Sequence, residues 1–224
     1  MNNIQIEKIS DRLFFDNTEI LKYELEYPQI TNSNYTIGQR VFNLYNQNFI
    51  NNFKKYILTD LYKSAIETYK YNKANGFPIM VYEIVLNCNI TENYKNIVSL
   101  FSDQYIFTGG THGDTTRIAQ NWDLAVGRQF DLSNMFPQNP YYIIDILKEI
   151  NKQIQEQIEK EGANIYFDDY CQLILDTFNL KNFYITSKYI NVFFQHYDIA
   201  PYSTGIPTFK IDINKIRSRA EKNI

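Results

Sequence analysis

Apolar and polar residues alternate from Glu19 to Tyr27. Leu21, Tyr23, Leu25 and Tyr27 share one face, and Lys22, Glu24 and Glu26 share the other. That is the two-residue period of a half-buried strand, and Pro28 is read as its end. The period then changes. Phe42, Tyr45, Phe49, Phe53, Ile57, Leu61 and Ala65 recur at steps of three and four, which predicts an amphipathic helix over 38–73, either continuous or broken near Thr59-Asp60. Gly76 and Pro78 supply its stop. Alternation returns over 79–90, where Tyr82, Ile84, Leu86, Cys88 and Ile90 face one way. Further strands are expected near 96–108 and 117–125, as an antiparallel meander.

A second helix is expected to open at Asn139-Pro140, with Asn as cap and Pro at the first helical position. Ile143, Leu147, Ile150, Ile154 and Ile158 form its buried stripe, and Gly162 closes it. Asp168 or Asp169 caps a shorter helix carrying Tyr170, Leu173, Ile174 and Phe178. A hairpin follows, with strands 183–186 and 189–199 about a Ser187-Lys188 turn. A last strand is read at 209–213, and the charged tail 215–224 as helical or frayed. Strict βαβ alternation is missing. The fold class expected is therefore α+β, with mostly antiparallel sheets packed against one long N-terminal helix and one central amphipathic helix. Two domains are expected: a strand-helix-meander domain over 1–113 and an α+β domain over 114–224.

Composition narrows the function classes. A net charge of −3 argues against a nucleic-acid binder, which carries a basic footprint. Tyr 19 and Phe 16 leave two readings open: a core of large side chains, or a face for protein or sugar contact. Cys88 and Cys171 have no metal-type spacing and read as buried free thiols, with one bridge left open. No window reaches the length of apolar residues that a membrane span needs. The start, Met1-Asn2-Asn3-Ile4, lacks the pattern of a leader. The compartment is left open between the cytoplasm and export after removal of a leader.

Two segments carry the candidate chemistry. Tyr105-Ile-Phe-Thr-Gly-Gly-Thr-His-Gly-Asp114 places three glycines after a strand, for a tight turn or for close approach to a ligand. It has neither the Lys-Ser/Thr pair of a phosphate loop nor the dinucleotide fingerprint. His196-Tyr-Asp-Ile-Ala-Pro-Tyr-Ser-Thr-Gly205 leaves a strand and turns on Pro201 and Gly205, which stiffens it and lowers the entropic cost of binding. The candidate ligand-binding residues are Gly109, Gly110, Thr111, His112 and Asp114 in the first segment, and Pro201, Tyr202, Ser203 and Gly205 in the second. Each segment also has the plain reading of a connector. The only histidines lie in His112-Gly113-Asp114 and His196-Tyr197-Asp198. As a set they are the donors a divalent-metal hydrolase would need. Against that, His196 shares a face with Ile190, Val192 and Phe194 on the expected strand, where a histidine is more often satisfied within a core. There is no nucleophile elbow. No catalytic set, resident metal or cofactor is assigned.

Three blocks in order carry a resemblance. Tyr105 to Gly113 resembles a "tyrosine, threonine, double glycine, small residue, His-Gly" motif. Asn121-Trp-Asp-Leu-Ala-Val-Gly-Arg-Gln-Phe-Asp-Leu-Ser-Asn-Met-Phe136 is similar to a block in which "D-L-x-T-G" precedes "L-x-D-L-F", with Val126 and Asn134 as departures. Phe193 to Gly205 resembles "Y-x-I-A-P-Y-x-x-G". Together they resemble the paired domains found outside the membrane in lysozyme-responsive anti-sigma factors and beside some peptidoglycan deacetylases. The likeness rests on motifs over about 114–213, and on pattern over the first hundred residues. It implies an extracytoplasmic, non-catalytic binding module whose partner is a lysozyme-like protein or a peptidoglycan fragment. A sigma-binding segment, a membrane span and a deacetylase domain are not read in this sequence, so the expectation is a stand-alone module. A structural or assembly domain is the further alternative.

Overall fold

A computed structural model describes residues 1–32 and 35–222. It opens with a long antiparallel hairpin, β1 (Ile4–Phe15) and β2 (Thr18–Ile30). Asp16 and Asn17 form the turn with φ of +49° and +58°, the left-handed pair that matches strand twist in a two-residue hairpin. The alternation over 19–27 does not predict β1. Its apolar phase slips: Ile4 and Ile6 are even, whereas Ile9, Leu13 and Phe15, which pack on the core, are odd. Pro28 does not end β2. It pairs with Ile6 inside the strand. The parallel register with β3 (Tyr82–Tyr94) runs only from Leu21 to Leu25. At Pro28, therefore, that side of the strand asks for no N–H donor.

A parallel β2–β3 pair needs a crossover, and the helical run supplies it as α1 (Ile37–Tyr56), a π turn (Ile57–Leu61) and α2 (Tyr62–Asn75). Thr36 starts α1 by a reciprocal capping box with Gln39, which satisfies two orphan donors. The break near Thr59-Asp60 is the π turn. Beyond Phe53 the buried positions Ile57, Leu61, Ala65 and Tyr69 advance in steps of four, slower than 3.6 residues per α-turn. The wider π turn takes up the difference and keeps them on one face. The stripe itself needs one correction. Tyr45 is exposed, and Asn46 takes the buried position, its side chain donating to Phe42 O. Gly76 closes α2 in the left-handed region. Asn43 ties helix to sheet by bonding both the N–H and the C=O of Ile30, at 2.8 and 2.9 Å.

The sheet has the order β1-β2-β3-β4-β5-β6, with β4 at Ile97–Phe107, β5 at Asp114–Asp123 and β6 at Arg128–Gln129. A second, antiparallel sheet comprises β7 (Phe183–Thr186), β8 (Tyr189–Phe193) and β9 (Thr208–Asp212). The helices are α3 (Leu132–Met135), α4 (Tyr142–Glu161), α5 (Tyr170–Thr177) and α6 (Ile213–Lys222). The fold is α+β. The charged tail is helical through Lys222, and residues 223–224 lie outside the described residues. Asn139 does not cap α4, which begins at Tyr142. It is buried instead, accepting from Tyr141 N and donating to Asp145 and to Ile216 O.

The chain divides into two compact units, one of Met1–Asn89, Ser102–Thr116 and Leu124–Arg128, the other of Ile90–Phe101, Arg117–Asp123 and Gln129–Ile224. In the first, Leu21, Tyr23, Leu25, Ile50, Ile57, Tyr82, Ile84 and Leu86 form the core. In the second, Ile146, Ile150 and Ile154 of α4 pack with Phe183, Ile190, Val192, Phe194, Phe209 and Ile211. A buried polar network secures β7 there. Ser99 donates to Asn121 and accepts from Ile185 N, while Asn121 donates to Phe183 O.

Candidate functional site

The glycine loop belongs to the first unit. Gly109 and Gly110 have φ of +104° and +96°, a region closed to most L side chains. Gly113 is buried against Tyr105, and a Cβ there would stand 2.4 Å from the ring. The glycines of the motif therefore set the backbone path between β4 and β5. Gly110, Thr111, His112 and Asp114 are exposed along it. His112 Nδ1 donates to Gly113 O at 3.1 Å.

The second segment belongs to the second unit. β8 stops at Phe193, where its pairing with Thr208 ends, so His196 lies in a turn rather than on the strand expected to reach 199. The chain turns because Gln195 leaves the ladder to pair with another backbone. Its Oε1 accepts from Arg117 N at 2.9 Å, and its Nε2 donates to Arg117 O at 2.7 Å. Asp198 accepts from Gln195 N at 2.7 Å. Burial raises the Asp198 carboxyl above the usual carboxylate range, and that hydrogen bond opposes the rise. Tyr197 takes φ +64° and Gly205 φ +76°. Phe194, Ile199 and Ala200 are buried, and Thr204 Oγ1 donates to Ile165 O at 2.8 Å.

What this framework leaves accessible is small and aromatic. Tyr197 is 54% exposed. Tyr202 is half-buried, its ring 4.6 Å from His196 and 5.9 Å from Tyr197, centre to centre. Ser203 is exposed on the single 3₁₀ turn Tyr202–Thr204. Beside that turn the same unit carries a partly open cleft of about 390 Å³. Gln157 and Glu161 line it from α4, Asn164, Ile165 and Tyr166 from the following segment, and Ser203, Thr204, Ile206, Pro207 and Thr208 from the turn. Tyr166 is buried and donates to Gln157 Oε1 at 2.6 Å, and burial pushes its phenol up to about 12. Only Ser203 and Thr204 of this lining fall within a sequence motif. The rest are common residue types, mostly polar, and the lining is drawn from three separate stretches.

Each unit supplies one His-x-Asp triplet, His112 with Asp114 in the first and His196 with Asp198 in the second. Among the described residues no group of three or more His, Cys, Asp or Glu is arranged to hold a metal ion. Both cysteines are free. Cys88 is buried, and burial pushes its thiol up to about 11, far from the thiolate a nucleophile needs. Cys171 departs from expectation by being exposed. It lies at the rim of a groove between α4 and α5, its Sγ donating to Asn151 Oδ1 at 3.9 Å. The middle block is also spent on structure. Leu132 and Phe136 enter the core, Asp131 and Asn134 form the capping box of α3, and Val126 is exposed beside Gly127 in a turn. Among the described residues no helix is long and apolar enough to cross a membrane.

Comparison with known proteins places two family models along the chain. Residues 15–115 match a family model described as "Deacetylase PdaC", and residues 133–214 match one described as "Protein of unknown function (DUF3298)". A crystal structure of a DUF3298 family member from Bacteroides fragilis is similar with a TM-score of 0.70 at 17% identity, over 96% of this chain and 94% of that one. A DUF3298 family protein from Pseudomonas aeruginosa is similar with a TM-score of 0.62 at 14% identity, over 96% and 93%. No curated protein sequence matches. At these identities the structures speak for the fold alone.

Proposed function

We propose that this chain is a non-catalytic binding module, and that the Pro201–Gly205 turn of its second unit faces the ligand. The observation that carries the reading is how the turn is built. Gln195, Asp198, Thr204 and the buried Ile199 and Ala200 fix its path, while Tyr197, Tyr202 and Ser203 stay accessible. A surface held in its bound shape loses little entropy on docking, and Tyr offers a large contact area with few rotors. The exposed Thr111, His112 and Asp114 of the first unit form a separate contact element. There the glycine backbone sets the shape.

The resemblance to the receptor domains of lysozyme-responsive anti-sigma factors, and to domains beside peptidoglycan deacetylases, supports two ligands for testing: a c-type lysozyme and a peptidoglycan fragment. It also supports an extracytoplasmic location. The metal-hydrolase alternative has less behind it, because neither triplet alone offers more than two donors. Calorimetric titration of the chain with c-type lysozyme and with purified muropeptides tests the reading. Saturable heat with one of them, and unchanged muropeptides on recovery, is the expected result. Absence of binding to both removes both specific ligands. Muropeptide cleavage together with stoichiometric bound metal would establish the hydrolase instead.

A further inference from the structure

We infer that the cleft beside the Tyr202–Thr204 turn is a subsite for one or two neutral, hydroxyl-bearing sugar rings. The inference rests on the binding-module reading and names the chemistry of its ligand. The lining decides the class by elimination. Neither Lys, Arg nor His contributes to it, and Glu161 does, so an anion would meet a carboxylate with no countercharge. A wholly apolar ligand would find little apolar surface to bury, because the lining is mostly polar, and so little driving force.

What remains is a neutral ligand carrying both donors and acceptors. Ser203 offers a hydroxyl, Asn164 an amide and Glu161 two acceptor oxygens for neighbouring hydroxyls. Ile206, half-buried, supplies a small apolar edge beside these polar groups. The lining is also braced from behind. The Tyr166 hydroxyl holds Gln157, and Thr204 is tied to Ile165 O, so the two sides of the cleft are linked by hydrogen bonds before any ligand arrives. A volume of about 390 Å³ lies at the small end of ligand pockets, roughly 300–1,000 Å³, which limits the occupant to a short fragment.

The test uses the full, isotope-labelled chain, titrated in solution with N-acetylglucosamine, its β-1,4-linked dimer, glucose and inorganic phosphate while amide shifts are followed. Saturable shifts at Glu161, Asn164 and Ser203 with at least one sugar, and none there with phosphate, are expected. Ser203→Tyr places a ring in the cleft and is expected to weaken sugar binding by about tenfold or more. The spectrum reports whether that variant is folded. If it is not, Asn164→Ala carries the same comparison, with a loss of about threefold or more for one hydrogen bond. Sugars that leave the cleft residues unshifted, phosphate that shifts them equally, or folded variants that bind like the parent would each overturn the inference. Muropeptide or lysozyme binding that shifts Tyr197 and Tyr202 while the cleft stays silent would overturn it and leave the binding-module reading standing.

Discussion

The glycine loop of the first unit and the proline turn of the second reach order by opposite routes. Gly109 and Gly110 make a path that other residues resist, and Gly113 lets the backbone lie against Tyr105. There the absence of side chains is the device. In the second turn side chains do the holding. Gln195 imitates a neighbouring strand on Arg117, Asp198 closes the bend, and Thr204 anchors the 3₁₀ turn. The difference teaches where a ligand could gain specificity. A loop shaped by glycines presents mostly backbone, whereas a turn shaped by buried side chains can display Tyr197, Tyr202 and Ser203 in fixed places.

Substitutions that invert each device should separate the two. The largest effects are expected from Gly113→Ala and Gln195→Ala. In the first, the new Cβ would meet the Tyr105 ring at 2.4 Å. The atoms met are the far end of that side chain, which gives in part, so urea denaturation should show a loss of about 2 kcal/mol. A loss under about 1 kcal/mol would mean that the ring swings aside and the glycine is dispensable. Gln195→Ala removes two backbone pairings at once. It should cost about 2 kcal/mol and also perturb the amide shifts of Tyr197 and Tyr202. Stability lost without that perturbation would break the link between Gln195 and the displayed surface. Gly110→Ala meets nothing within 4 Å, so only the φ of +96° opposes it, at about 1 kcal/mol.

The smallest effect concerns pH. The Asp198 carboxyl is raised in the folded state by burial, so the fold holds that proton more tightly than the unfolded chain does. Its ionisation therefore weighs against the fold above the folded pKa. That penalty fades as pH falls through the folded pKa and is gone below the unfolded one. Asp198→Asn should remove this part of the pH dependence in acid-range denaturation curves. An unchanged curve would show that Asp198 does not titrate differently on folding.

Much of the fold was legible from periodicity alone. Residues 38–73 were readable as a helix because its apolar step is regular, and even its interruption at Thr59-Asp60 was foreshadowed by the slower step beyond Phe53. β1 was not legible, because an edge strand is half-exposed and its apolar phase slips between Ile6 and Ile9. Pro28 misled because its effect depends on whether the partner strand extends that far, a tertiary fact. Of the site, the glycines and the Pro201–Gly205 turn announced themselves by backbone chemistry. The role of Gln195 did not, since its partner Arg117 is remote in sequence and any amide could have pointed to solvent. The cleft was silent for the same reason: Glu161, Asn164 and Ser203 become a set only when α4 and the turn are packed together.

The most direct measurement is an amide-shift map of the labelled chain with c-type lysozyme and with purified muropeptides, since the claim is that a built turn faces the ligand. Saturable changes centred on Tyr197, Tyr202 and Ser203, with no turnover of the added ligand, are the predicted result. Binding that leaves those three residues unshifted, or muropeptide hydrolysis during the titration, would contradict the account.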